Sequence, residues 1–268
     1  MRYALKFAYD GPRFGGYARQ PGKVTVEGEI LRAMKELDVI EGARENNFRS
    51  ASRTDRGVSA AGNVLAVDTD FHFKALPDAL NSRLDGIVFH GIALVPDDFN
   101  PRHARQRHYR YFLHAEGVPP IGKLRKAAKQ FIGEHDFRLF SKKDTGKENT
   151  VLTIDSITFT KQGEFLVCDI KARRFLWELV RRLLSALISV AEGKIPPEAV
   201  EKMLAGEDAL RGGIKPLAPE FLVLVDVEYD FEFKDAGAGR DYFRDRASEC
   251  KALSEVMGFV AEALRRSG

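Results

Sequence analysis

The run Arg2-Tyr3-Ala4-Leu5-Lys6-Phe7-Ala8-Tyr9, closed by Asp10-Gly11-Pro12, decides the fold. Tyr3, Leu5, Phe7 and Tyr9 fall on one face and Ala4, Lys6 and Ala8 on the other, the period of two that a half-buried strand requires. Outward from it, Thr25 is placed to cap a helix from about Val24 to Leu37, with Ile30, Leu31, Met34 and Leu37 along one side. Residues 46 to 68 read as a strand, a tight polar connection and a second strand. A helix around Pro77 to Leu84 and a strand from Ile87 to Val95 complete the order strand, helix, strand, strand, helix, strand. That order is the split βαβ unit of ferredoxin-like folds.

Pro, Asp and Asn cluster between Pro96 and Pro101, and beyond them the plan repeats. A strand runs through His108 to Phe112, a helix from about Ile121 to Ile132, and a hairpin from Val151 to Thr160 and Glu164 to Lys171. A long helix from about Phe175 to Glu192, a short one after Pro196-Pro197 and a strand from Phe221 to Tyr229 follow. The expectation is an α+β chain of two ferredoxin-like (RRM-like) subdomains, antiparallel sheets around a central cleft, helices on one side. Residues 1–98 and 99–233 form the two subdomains, and 234–268 a helical tail with Leu253, Val256, Val260 and Leu264 on one face.

A chain of 268 residues that is 44% hydrophobic excludes a disordered or disulfide-stapled protein. Cys168 and Cys250 are too far apart in sequence to suggest a disulfide framework, which fits a reducing, cytoplasmic setting. The start of the chain has no apolar leader, and the longest apolar run, Leu183 to Ala191, is too short to span a bilayer. The net charge of +3 hides a dipole. Residues 101–182 carry 18 basic against 9 acidic side chains, whereas both flanks are net acidic. A concentrated basic stretch is the footprint of a polyanion partner. It includes Arg105, Arg107 and Arg110 among Arg102 to Arg110, four cations from Lys123 to Lys129, then Lys142, Lys143, Lys147, Lys171, Arg173 and Arg174. Interleaved Tyr109, Tyr111 and Phe112 add stacking surfaces to these phosphate contacts.

The string Ser50-Ala51-Ser52-Arg53-Thr54-Asp55-Arg56-Gly57-Val58-Ser59-Ala60 is the most informative for chemistry. On its own it reads first as an Asp-containing turn with solvated arginines, and only second as a catalytic loop. His103, His108 and His114 lack a Cys or Glu at ligand spacing, so no metal site is expected, and His135-Asp136 reads as fixing a helix end. No phosphate-binding Gly-rich loop occurs.

SRTDRGVSA resembles the catalytic motif of the TruA family of pseudouridine synthases, which modify uridines in tRNA. Further blocks fall in the family's order: YDGPRFGGYARQ (Tyr9 to Gln20), TVEGEILRAM (Thr25 to Met34), FNPRHARQRHYRY (Phe99 to Tyr111), GEHDF (Gly133 to Phe137), FLWELVRRLL (Phe175 to Leu184) and LAPEFLVLVDVEY (Leu217 to Tyr229). The resemblance covers about residues 3 to 230. It implies an isomerase that converts uridine to pseudouridine in the anticodon stem-loop of tRNA, as a homodimer, without a cofactor. Modification of other tRNA positions, a non-catalytic tRNA-binding module and a base-removing glycosylase are the alternatives.

By resemblance Asp55 is the catalytic aspartate. Breaking the N-glycosidic bond and rejoining the uracil through C5 calls for a carboxylate that attacks or stabilises the sugar. A second carboxyl group, needed by ordinary glycosidases, is dispensable where the leaving group is uracil and stays in the pocket. A carboxylate covered by a base needs a cation nearby, and the family's FLxxxVR pattern maps that cation to Arg181, close to the apolar stripe of its helix; Arg182 reads as a surface residue. The resemblance makes Tyr109 the aromatic against the target uracil, Arg53 the brace for a flipped nucleotide and Leu222 an apolar pocket wall. The motif here departs from the bacterial form GRTDAGVHALGQV, and Phe221 stands where a glycine is usual. Both features resemble the archaeal and eukaryotic branches.

Overall fold

The computed structural model describes residues 1–142, 149–210, 212–236 and 240–266. Lys143 and Lys147 of the basic stretch, and the side chains of Val260 and Leu264, lie outside what is described. The fold is α+β with helices on one side of a large, mainly antiparallel sheet. In chain order its strands are β1 (Arg2–Tyr9), β2 (Arg49–Ser50), β3 (Ser59–Asp68), β4 (Ile87–Val95), β5 (Gln106–His114), β6 (Gly133–Asp136), β7 (Val151–Gln162), β8 (Phe165–Ala172), β9 (Leu222–Glu228) and β10 (Lys234–Asp235). The helices are α1 (Val26–Glu36), α2 (Leu76–Asn81), α3 (Ile121–Ala128), α4 (Leu179–Ala191), α5 (Pro197–Leu204) and α6 (Arg240–Arg266). None of them, among the described residues, is long and apolar enough to cross a membrane.

The sheet order is β10-β4-β1-β3-β9-β5-β8-β7-β6, with β2 also on β3. The two halves expected from the repeat therefore share one continuous sheet. Their seam is the short parallel pairing of β3 with β9, Ser59 opposite Val223 and Ala60 opposite Leu224. β9 returns from the far end of the second half to reach this place, which brings residues more than 150 positions apart into register.

Thr25 caps α1 as its sequence context predicts, its hydroxyl accepting from the Gly28 N–H at 3.2 Å. Ile30 and Met34 are completely buried in one core with Phe7 and Tyr9, and that core continues across the seam to Tyr109, Tyr111 and the apolar side of α4. Burial of such side chains at about 25 cal/mol per Å² is the main force holding sheet and helices together.

Three local expectations change. β1 is largely buried on both faces: Ala4 and Ala8 are buried too, Lys6 is partly buried, and the Lys6 amine lies over the Phe233 ring, 5.4 Å from its centroid. GEHDF forms the short edge strand β6 against β7; Asp136 does cap the turn after it, accepting from Arg138 N–H at 2.9 Å. Helix α4 starts at Leu179 instead of Phe175, because Glu178 takes a left-handed φ of 60°. The tail is helical and tied to the first half near its start, where Arg246 donates to Asp10 and Arg13 donates to the Tyr242 hydroxyl. Leu253, Val256, Met257 and Phe259 farther along it are exposed.

Candidate active site

The loop after β2 continues as extended chain, and its alternation sorts it chemically. Ser50, Ser52 and Thr54 turn inward and each hydroxyl is bound: Ser50 accepts from the Tyr17 hydroxyl at 2.5 Å, Ser52 from Arg107 Nε at 3.0 Å, and Thr54 pairs with the Tyr9 hydroxyl at 2.8 Å. Backbone bonds add to this, from Tyr17 N–H to Thr54 O and from Asn63 Nδ2 to Ser52 O. Arg53, between two anchored residues, is left exposed. The chain then turns: Val58 N–H donates to Asp55 O, and Gly57 supplies the positive φ of 86° that side chains resist. Gly11 abuts this turn so closely that a Cβ there would lie 2.3 Å from the Val58 backbone, and its N–H donates to Ser59 Oγ. That contact explains why the Asp10-Gly11-Pro12 stop of β1 carries glycine.

Asp55 emerges from this frame with both oxygens engaged. Oδ2 accepts from Arg181 Nη2 at 2.7 Å and Nε at 3.2 Å, a fork geometry only arginine offers. Oδ1 accepts from the Trp177 indole N–H at 2.8 Å. The Asp55 side chain is 22% exposed, the Arg181 side chain 8%. Arg181 Nη1 is fixed in turn by the Leu217 carbonyl at 2.8 Å. The left-handed turn at Glu178 swings Trp177 back toward Asp55 before α4 begins. The Glu178 carboxylate then gathers Arg182 at 2.6 Å and, at 3.5 Å, Arg181. Arg182 is thus not a solvated surface residue: it is partly buried and also donates to the Ile214 carbonyl.

Tyr109 projects from β5 into the same space, buried and edge-on to Phe175 at 4.9 Å. Burial pushes its phenol up to about 12; the Arg107 guanidinium and Ser52 hydroxyl pull it back, and the Asp55 carboxylate adds to the rise. Tyr109 is therefore a neutral phenol at any physiological pH. Tyr111, two residues on, is also raised to about 12 by burial against the pull of Arg181, and its hydroxyl donates to Ala218 O. Leu222 is buried and pairs with Tyr111 across β5 and β9. Phe221 beside it is half exposed, with its ring 6.4 Å from that of Tyr111.

The arginines grouped with Tyr109 by the sequence do not share one surface. Arg107 has the same strand parity as Tyr109 and points inward, where it is 6% exposed. Its guanidinium donates to Ser52 Oγ, Ala51 O at 2.9 Å, Arg102 O at 3.1 Å and Arg173 O. Burial lowers its proton affinity, yet with these acceptors it stays a cation. Every one of those acceptors belongs to the protein, so a phosphate contact by Arg107 does not fit this placement. Instead it ties the Asp55 loop to β5 and to the approach of α4. Arg110 has the opposite parity and lies on the back of the sheet, doubly bonded to Asp169. Arg105 is exposed, with Glu228 and Asp230 each at 3.9 Å. The cations Lys123, Arg125 and Lys126 of α3 and Lys129 just after it are exposed, as are Lys142 and Arg173.

The Asp55 carboxylate, gripped by a buried arginine and near a neutral phenol at a sheet seam, fits a carboxylate-centred α+β enzyme. The family model for tRNA pseudouridine synthase matches residues 127–230. Proteins named tRNA pseudouridine synthase A are similar over nearly the full length. That of Pyrococcus furiosus is 44% identical over 98% of this chain and 97% of its own. Those of Thermococcus onnurineus, 43% identical over 100% and 96%, and Methanococcoides burtonii, 41% over 98% and 96%, are comparable. Among solved structures, a chain of a Cbf5-Nop10-Gar1 complex aligns with 69% of this chain and 44% of its own at 13% identity and a TM-score of 0.38. The chain belongs to the TruA family of tRNA pseudouridine synthases, which are isomerases.

Proposed function

We propose that the protein isomerises uridine to pseudouridine in the anticodon stem-loop of tRNA, with Asp55 as its catalytic group. The observation that carries this reading is the doubly held carboxylate. Arg181 occupies Oδ2 and the Trp177 indole N–H occupies Oδ1, so both oxygens of the side chain are held in place beside the buried phenol. The Asp55 carboxylate is the group to meet C1′ of the ribose or C6 of the uracil. The bond from C1′ to N1 breaks, the uracil turns, C1′ joins C5, and the C5 proton is lost while N1 regains one, so the product is an isomer with nothing added. Tyr109, neutral and buried beside the carboxylate, packs against the uracil, while the C5 proton passes to water and N1 takes one back from water. Leu222 closes the apolar side.

Target bases in a stem must leave the helix, and Arg53, exposed beside Asp55, fills or braces the vacated place. Arg105 and the exposed cations of α3 contact phosphates; Arg110 contributes to the field from the back of the sheet. The protein works as a homodimer in the cytoplasm, as the family resemblance implies. The test is carbodiimide mapping of an unmodified tRNA transcript incubated with the protein. Resistant uridines in the anticodon arm support the reading, resistant uridines elsewhere move the target, and release of free uracil makes the enzyme a glycosylase.

A further inference from the structure

Trp177 is the only tryptophan of the chain. A large aromatic side chain at an enzyme's carboxylate normally contributes to an apolar wall and is buried. Trp177 is instead 45% exposed, although its N–H is committed to Asp55 Oδ1 at 2.8 Å. One end of the indole is thus fixed at the reacting carboxylate and the rest opens outward. The left-handed Glu178 and the backbone bond from Lys142 N–H to Trp177 O at 2.9 Å hold this pose from both sides. The Lys142 ammonium lies over one face of the ring, 4.1 Å from its centroid, and 4.0 Å from the Glu178 carboxylate, with its side chain 48% exposed. With the ammonium over one face, the rest of the oriented, partly exposed indole is left for a base to stack on, and the ammonium supplies a phosphate partner at the same place.

We propose that Trp177 and Lys142 form a nucleotide-binding subsite for a residue flanking the target uridine, its base stacked on the indole and its phosphate drawn to the ammonium. Stacking reads every base by its π-face, so the subsite grips the strand without selecting sequence. The proposal rests on Asp55 being where the target uridine is bound, since Trp177 is anchored to it. Anchoring costs nothing extra on binding: the ring is already oriented, so its rotamer entropy has been spent in folding.

The lone tryptophan makes the test direct. Unmodified tRNA transcript is titrated into the wild-type protein while tryptophan emission is followed, and kcat and KM are measured for Trp177→Phe and Trp177→Ala. The subsite predicts saturable quenching with a midpoint equal to the affinity from filter retention. It further predicts a KM raised roughly tenfold or more in Trp177→Ala, the worth of one stacked base. Trp177→Phe keeps a ring and a KM within about threefold while kcat falls, because Oδ1 loses its donor. Emission unchanged at saturating tRNA, or equal falls in kcat for both variants with KM unmoved, would overturn the subsite. Asp55→Ala separates the two claims: activity retained there removes the catalytic reading whatever Trp177 does, and quenching lost with Asp55 still essential removes only the subsite.

Discussion

Replacing Arg107 with methionine separates two roles that its sequence context confuses. As a phosphate contact, Arg107 would matter to RNA affinity and little to the fold. As placed in the structure, it holds the Asp55 loop. The substitution deletes donors to four acceptors on three separate segments, Ala51 with Ser52, Arg102 and Arg173. At about 1 kcal/mol per bond the gross loss is about 4 kcal/mol. Relief from burying a charge returns about 1–2 kcal/mol, so the net destabilisation is about 2–3 kcal/mol. For a chain of this size that is a fall in Tm of about 5–10 °C, measurable by calorimetry. Because Ser52 lies three residues before Asp55, the loop also loses its register to Arg181, and kcat falls about tenfold or more. Affinity for tRNA and its salt slope stay the same. Arg107→Lys rescues little, since one ammonium cannot reach acceptors in three directions. An unchanged Tm and kcat, with a salt slope shallower by about one phosphate contact, would show the reasoning to be wrong.

Arg181→Met strands the Asp55 carboxylate with only the indole donor; kcat should fall by two orders of magnitude or more, and stability by about 2 kcal/mol, less than for a fully buried pair because Asp55 is 22% exposed. Arg181→Lys recovers charge without the fork and only part of the rate. Tyr109, held near 12 by burial, keeps its proton throughout the working range, so the pH profile of kcat should show no basic limb from it below about pH 11. Tyr109→Phe should leave that profile's shape intact while lowering kcat. Burial would raise the Asp169 carboxyl, but bonds from Arg110 and His108 outweigh it and hold it below its ordinary range. A lowered carboxyl stabilises the fold above its unfolded value near pH 4 and loses that contribution as pH falls through the folded value, so Asp169→Asn should flatten the acid limb of Tm against pH. Gly11→Ala drives a Cβ into the Val58 backbone and should displace the loop, costing activity out of proportion to the single methyl added.

Most of the architecture is legible because β1, α1 and the β7–β8 hairpin carry their periods in local sequence. What escapes has no local signal. Edge strands β6 and β10 are too short to show alternation, and the parallel seam of β3 with β9 rests on two residue pairs. At the site, Asp55 and Arg181 come from motifs, and the resemblance puts them together before any geometry does. The parity of β5 already set Arg107 with Tyr109 and Tyr111 on one face and Arg110 on the other; counting charges along the stretch concealed it. Trp177 had no such clue, because its direction depends on the left-handed turn at Glu178, and nothing in a helical stripe announces a residue just before the helix begins.

The proposed isomerisation depends on Asp55. Every turnover replaces the C5–H bond of a uridine by a C5–C1′ bond, so tritium at C5 is released to water in step with product. Single-turnover tritium release from tRNA labelled at C5, with Asp55→Asn and the wild-type protein both saturated with tRNA, reads that step directly. The account predicts release by the wild type and none above background by Asp55→Asn at equal occupancy; release by the variant at a comparable rate would contradict it.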